Sequence, residues 1–519
     1  LRKGKTIRKN NFLFSLVKMD ALTTYGVDEV PSNIEIRSDE VTPISSSVSD
    51  RRYIFRLEPQ GYLDSNTLLQ FKLKKSAAAP GTDTQLRVNS FNGALGAVKR
   101  VIFRVGDFVL NDTDKVHLWS TLSNLSHRRR QDLNSYDAFY YGNQFHSRIS
   151  EAADATHGEF EVDSALSGYD ITNRAANSYK LETVSDDCFK YGIPLGRLIP
   201  ALQGRQIPLY LFDQYRIVIE VEFHPPSVYM NSRNGAAGAA VASDTAADIE
   251  DVELLVDYII YPSSVLEADR AATLKEGGLE LDFYNVVNVQ RQLDVAAGTT
   301  QAVATNAQYQ TRGVLQDKTT AVDFRIGQEN REIHQIFMIK QKQGKVPTAG
   351  GANNAGSLML DQRIDGVASE SIQFSLNGVD VYPEPKTLTS SQYDQMYMAL
   401  GYRDLQVERP MFYTDPNSLS AIMTSATSGL QGTYKPIGYD ARVMDSGIAG
   451  SGTLIGRYPI VVKYKATPSH SLVTFGAGDT GSAAAPDQSG VYDVDFFIST
   501  SRRAVIRSSP MGMQVSVSF

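Results

Sequence analysis

The sequence predicts an all-β molecule made of two copies of one antiparallel sandwich unit, and three observations carry that prediction. Apolar and polar residues alternate with period two along many short runs. Helical periodicity is confined to a few stretches. The second half of the chain repeats strand motifs of the first in the same order.

The alternation is clearest in Ile217-Val-Ile-Glu-Val-Glu-Phe223. Here Ile217, Ile219, Val221 and Phe223 share one face, with Glu220 and Glu222 on the other. Met513–Phe519 alternates in the same way, and Tyr53–Leu57, Leu69–Lys74, Val101–Val105, Val252–Ile260, Ile460–Lys465 and Val491–Ile498 read alike. Gly, Pro, Asn, Asp or Ser bounds each run, as expected for half-buried antiparallel strands. Three stretches carry helical spacing. Asp114–Leu125 places Val116, Trp119, Leu122 and Leu125 on one stripe. Val265–Glu276 ends at Gly277-Gly278. Tyr393, Met396, Tyr397 and Leu400 follow i, i+3, i+4, i+7 between Ser390 and Gly401 as caps.

The repeat rests on four matches. Tyr215–Pro225 aligns with Tyr458–Pro468, and Val256-Asp-Tyr-Ile-Ile260 with Val494-Asp-Phe-Phe-Ile498. Phe55-Arg-Leu57 aligns with Phe324-Arg-Ile326, and Phe103-Arg-Val-Gly106 with Phe374-Ser-Leu-Asn-Gly378, where one inserted residue is expected. The helical stretches at Trp119 and Tyr393 follow the last pair at similar distances. The boundaries expected are a basic arm over 1–32, a first unit over 33–262, a linker over 263–278 and a second unit over 279–519. Long loops over 128–190, 231–248, 403–456 and 469–490 account for the excess over a minimal sandwich.

Composition narrows the function classes. A chain of 519 residues with 42% hydrophobic and 21% charged residues has the makings of a large core. The single cysteine, Cys188, excludes an intrachain disulfide, a Cys-built zinc site and a CxxC redox motif; it reads as a buried thiol or an interchain bridge. The seven histidines form no HxH, HxxxH or HExxH pair, so neither a metal nor another cofactor is expected. No apolar run approaches the roughly 18 residues of a membrane span, and Phe12–Val17, followed by Lys18 and Asp20, is too short for a signal-peptide core. A soluble protein of a reducing compartment is expected. Net charge is −7, yet Arg2, Lys3, Lys5, Arg8, Lys9 and Lys18 fall in the first 18 residues without an acid. A basic arm on an acidic body is an interaction tail, with Phe12 and Phe14 in its apolar anchor.

Ile193-Pro-Leu195, Gly204-Arg-Gln-Ile-Pro-Leu209 and the strand Tyr215–Phe223 together resemble a block of double jelly-roll major capsid proteins, the lineage of adenovirus hexon, polinton-like viruses, virophages and large DNA viruses. The repeat extends the resemblance from about residue 33 to 519, while the basic arm before Met19 departs from it. The resemblance implies two tandem eight-stranded jelly rolls with few short helices and long loops. It further implies a homotrimer forming a pseudo-hexagonal capsomer of an icosahedral shell, and hence a virion location. The implied partners are neighbouring capsomers, penton and minor capsid proteins, with an inner membrane or the genome reached through the arm. No catalytic residue is implied. Glu220 and Glu222 in the first unit become Lys463 and Lys465 in the second: if the matched strand faces meet, within the chain or between subunits, their charges are complementary, while two solvated faces with unrelated charges are the simpler expectation.

Several motifs resemble enzyme signatures. Gly476-Ala-Gly-Asp-Thr-Gly481 has the dinucleotide spacing, but Ser482-Ala-Ala-Ala-Pro486 follows instead of a helix. Gly351–Gly356 has P-loop spacing without its lysine. Asp493 and Asp495 share a strand face at glycosidase-like separation; a solvated surface is the expectation, by analogy with Asp257. His127-Arg-Arg-Arg130 reads as an interface or solvated loop. Asn111-Asp-Thr and Asn124-Leu-Ser are expected to be unused glycan sequons, and Trp119 a core residue. The alternative function is a two-domain β-sandwich protein that binds or hydrolyses glycans, which needs acids and aromatics converging at one cleft.

Overall fold

The computed structural model describes residues 34–47, 51–75, 84–88, 93–119, 122, 190–202, 206–234, 239–241, 247–275, 279–295, 299–301, 314–316, 319–342, 369–387, 399, 437–442, 452–467, 490–509 and 512–518. The arm 1–32, Cys188, the two glycine-rich motifs, 127–130 and the second sequon lie outside them, as does the stretch 390–401 except Ala399, which is helical and buried.

The main strands of the first roll are β1 (Glu35–Val41), β2 (Arg52–Leu57), β3 (Leu68–Lys75), β4 (Val98–Val105), β5 (Phe108–Asp114), β6 (Lys190–Pro194), β7 (Ile217–Phe223) and β8 (Ala247–Ile260). One sheet runs Ile207–Pro208, Tyr62–Leu63, β8, β3, β6, with β1 also paired to β8; the facing sheet runs Ser45–Ser47, β2, β7, β4, β5. The second roll contains β9 (Leu279–Val295), β10 (Thr320–Ile326), β11 (Glu332–Lys342), β12 (Ser369–Leu376), β13 (Val379–Asp380), β14 (Ile437–Asp440), β15 (Ile460–Thr467), β16 (Gly490–Ser509) and β17 (Gly512–Ser518). Its sheets run β9, β16, β11, β14, with β17 on β16, and β10, β15, β12, β13. The helix Ser263–Lys275 stands between the two sets, in the stretch predicted to be helical.

The sequence repeat is a repeat of pairing register. In the first roll Ile219 of β7 lies opposite Phe55 on one side and Phe103 on the other. In the second, Val462 of β15 lies opposite Phe324 and Phe374. Three of the four matched motifs therefore meet in one rung of each roll. All six side chains are at most 3% exposed, and burying each aromatic or branched side chain contributes roughly 1.5–3 kcal/mol. The fourth match, β8 with β16, turns Val256 and Tyr258, and Val494 and Phe496, into the respective cores.

The inserted residue expected at Gly378 is absent. Both hairpins close with two residues, Gly106-Asp107 between Val105 and Phe108, and Asn377-Gly378 between Leu376 and Val379. Only Gly106 has positive φ (59°) in the first loop, whereas Asn377 (53°) and Gly378 (79°) both do in the second. Those are the demands of type II′ and type I′ turns, so the glycine moves one place while the loop length stays constant.

Three apolar clusters result among the described residues. Two are the roll interiors, and the first also takes in Phe283, Ala504 and Ile506 from the second roll. The third lies between the rolls. Residues 116–119 and 122 are helical, and Leu118, Trp119 and Leu122 lie on Val286, Phe337, Ile339 and Phe497, the outer face of the β9–β16–β11 sheet. Trp119, expected in the core, is instead half-buried and packs on this junction cluster rather than inside its own roll. Its ring centroid is 5.5 Å from that of Phe337 and 5.9 Å from that of Phe497.

Candidate assembly surfaces

The junction has a polar seam beside its apolar cluster. Lys115, at the bend from β5 into the helical turn, sends its Nζ to Asp495 Oδ2 at 2.9 Å, and Asn288 Nδ2 reaches the other oxygen at 3.2 Å. Thr113 Oγ1 donates to Val286 O at 3.3 Å, and Arg502 Nη1 to Val109 O at 3.0 Å. Asp495 is fully buried, and burial raises its carboxyl above the ordinary range against the opposing pull of Lys115 and Asn288. Burial likewise pushes the Arg502 guanidinium down to about 10. The expected solvated pair is therefore corrected: Asp495 is sealed between the rolls with a cation, while Asp493 is half-buried. A buried acid tied to a lysine is neither an accessible acid catalyst nor a glycosidase nucleophile.

On the opposite flank no such layer covers the equivalent surface among the described residues. Ile259 corresponds to Phe497, and its cross-strand partner Ile36 to Asn288. Ile36 is 72% exposed, and Ile259, Tyr62 and Asp257 are half-buried on that same outer face. Asp257 there accepts a hydrogen bond from Ser38 Oγ at 2.5 Å instead of meeting a lysine. At the hairpin tips the asymmetry reverses. Phe108 and Tyr215 of the first roll contact each other edge-on at 6.4 Å and pack on the cluster that includes Phe283, Ala504 and Ile506. Their counterparts Val379 and Tyr458, with Leu454 beside them, are 69%, 65% and 67% exposed.

Within the chain, the matched faces of Glu220 and Glu222 and of Lys463 and Lys465 each have partners of their own. Glu220 is held by Arg52 at 2.6 Å and Arg104 at 3.6 Å, and Glu222 by Lys99 at 2.6 Å. Arg52, Arg100, Arg104 and these two glutamates line a depression of about 460 Å³ on the outer face of β2–β7–β4. Lys463 bonds Asp380 at 2.9 Å within its own sheet, and Lys465 is exposed. Asn111 is buried with its amide donated to Thr113 Oγ1, so its sequon is closed to modification. Among the described residues no group of three or more His, Cys, Asp or Glu side chains is placed to hold a metal, and no helix is long and apolar enough to cross a membrane.

Sequence reasoning missed Lys115, Asp495 and the whole junction. A signal was present: Ile336-Phe-Met-Ile339 and Phe496-Phe-Ile498 are apolar at consecutive positions, the mark of strands covered on both faces.

No family model matches the sequence, and no curated protein matches it. Among solved structures the chain is similar to PBCV-1 VP54, as fitted into a reconstruction of the virophage Sputnik, with a TM-score of 0.56 and 13% identity over 96% of this chain and 100% of that one. The quasi-atomic PBCV-1 virus capsid gives 0.56, 14%, 96% and 99%. The Faustovirus major capsid protein gives 0.46, 10%, 96% and 99%. The two PBCV-1 comparisons establish the fold: this chain is a double jelly roll, as the resemblance implied.

Proposed function

We propose that the chain is a major capsid protein, three copies of which close into a pseudo-hexagonal capsomer of an icosahedral DNA-virus shell, and that its role is structural. The observation that carries this is the pair of unmated surfaces. Inside the chain, the first roll's helical turn covers the second roll's sheet face, and the second roll covers the first roll's hairpin tip. Left over among the described residues are the first roll's sheet face (Ile36, Ile259) and the second roll's tip (Val379, Leu454, Tyr458). Unlike patches on one chain pair head to tail, and such contacts close only where the rotation permits; three two-roll chains supply six roll positions. Exposed apolar patches of this kind mark interaction sites.

The test is sedimentation. The full chain of 57.1 kDa should run as a trimer at micromolar concentration. Ile36→Asp on one patch and Tyr458→Asp on the other should each shift it toward monomer without unfolding either roll. A stable, monodisperse monomer of the unaltered chain sinks the proposal.

The arm, with Arg2, Lys3, Lys5, Arg8, Lys9, Phe12 and Phe14, is assigned to assembly on the inner side of the shell. The acidic surface of a neighbouring capsomer is the partner that needs no further component; minor capsid proteins, genome and membrane are the others. Removing residues 1–18 should spare trimers and lower the salt resistance of particles, because exposed charge contacts weaken as the Debye length shrinks.

A further inference from the structure

Two buried histidines lie where the helical turn meets the first roll. His117, in the segment 116–119, and His224, just beyond the end of β7, are 2% and 9% exposed. His224 Nε2 and His117 Nδ1 are 2.8 Å apart with rings nearly perpendicular. A hydrogen bond between two imidazoles requires one nitrogen to donate and the other to accept, and the accepting nitrogen carries no proton. The neighbouring residues bind opposite sides: Val116 enters the first roll's core, while Leu118 and Trp119 enter the junction cluster. The His224 amide donates to Ala97 O at 2.8 Å, so the pair ties the turn to the roll's backbone.

We propose that the His117–His224 pair is an acid-released latch that holds the helical turn of the first roll in place against the second roll.

Charged groups reach the latch from each flank. Lys99 on β4 is paired with Glu222 of β7, and Lys115 at the start of the turn is paired with Asp495 of β16. Burial first, then Lys99 and Lys115, pushes the His224 imidazole down to about 3. Above an ordinary imidazole value of about 6.5 both the closed and the open states are neutral at this site, and pH has no leverage there. Below it, the open state takes up a proton that the closed state refuses, so closure weakens as pH falls from 6.5 toward 3. Asp495, whose carboxyl is raised by burial, works in the opposite sense, and a variant that removes only the histidines leaves it in place, so the difference between the two slopes is the histidines' share. The latch stands independently of the capsid proposal, since it concerns the junction within one chain.

Amide hydrogen exchange on the full chain tests it. The amides of Leu118 and Trp119 both point at Lys115 O, at 2.9 and 3.4 Å. After correction for intrinsic rates, their protection should fall about fivefold between pH 6.5 and 5.5 if one imidazole of ordinary value takes up a proton on opening, and about thirtyfold if both do. Protection at Val462, in the second roll's core, should stay constant. In a His117→Gln, His224→Gln protein that fall should vanish, or reverse where Asp495 takes up its proton. An unchanged slope in that variant, or no slope in the original chain, overturns the latch. Should the variant not fold, ring-carbon shifts of labelled histidine in the original chain decide. His117 and His224 both neutral at pH 5.5 support it, and either one titrating near 6.5 in the folded state refutes it.

Discussion

Asp257 and Asp495 occupy the same place in the two rolls, yet one sits on an open face and the other in a sealed junction. Around Asp257 stand Ser38, Ile36 and Ile259; around Asp495 stand Lys115, Asn288 and Phe497. The strand motif that carries them hardly differs. What differs is whether a second layer covers it, and that layer is supplied by Leu118, Trp119 and Leu122, far away in the chain. A duplicated fold thus makes equivalent surfaces inequivalent simply by using one copy's surface to bury the other's.

The comparison can be broken most severely at its charges. Lys115→Met should destabilise the chain by about 3–5 kcal/mol in urea unfolding, because it strands a buried carboxylate. Ser38→Ala beside Asp257 should cost under about 1 kcal/mol, as a water can replace an exposed hydroxyl. The Lys115→Met deficit should shrink as pH falls through the raised carboxyl of Asp495, since the protonated acid needs no counter-ion. Next in size is the apolar layer. Phe497→Ala should cost about 3–4 kcal/mol, and Ile259→Ala markedly less in chain stability while weakening trimers. The hairpins give a smaller contrast. A Cβ on Gly106 would lie 2.8 Å from Tyr215 Cδ1, whereas one on Gly378 meets Tyr458 only at 3.9 Å. Both positions carry positive φ, so Gly106→Ala should cost about 2 kcal/mol and Gly378→Ala about 1, read from melting midpoints. Smallest is the charge swap. Because Glu220 already has Arg52, Glu220→Lys and Lys463→Glu should be additive in trimer stability to within about 0.5 kcal/mol. A larger coupling would show that the faces meet across subunits.

The repeat was legible because pairing rungs are local in composition: Phe55, Ile219 and Phe103 have recognisable counterparts, and period-two alternation reveals their inward phase. The helix after Pro262 was legible from its spacing and its glycine stop. The turn chemistry was half visible. Gly106 and Gly378 flagged loops, but their offset imitates an insertion because the two turn types set the glycine at different places in loops of equal length. The junction was illegible for a different reason. Whether Asp495 is solvated depends on contacts between residues 380 positions apart, and a charged residue in an alternating strand is ordinarily at the surface.

The sharing of Phe283, Ala504 and Ile506 with the first roll's interior has a consequence in time. During synthesis the first roll's strands emerge in full by Ile260 and Phe283 follows soon after, but Ala504 and Ile506, which finish their apolar cluster, arrive almost 250 residues later. At roughly 5–20 residues per second, that leaves the nascent roll unfinished for some tens of seconds. Throughout that interval a stretch of apolar surface stands uncovered on the ribosome, where chaperones can hold it and where copies on adjacent ribosomes can find one another prematurely.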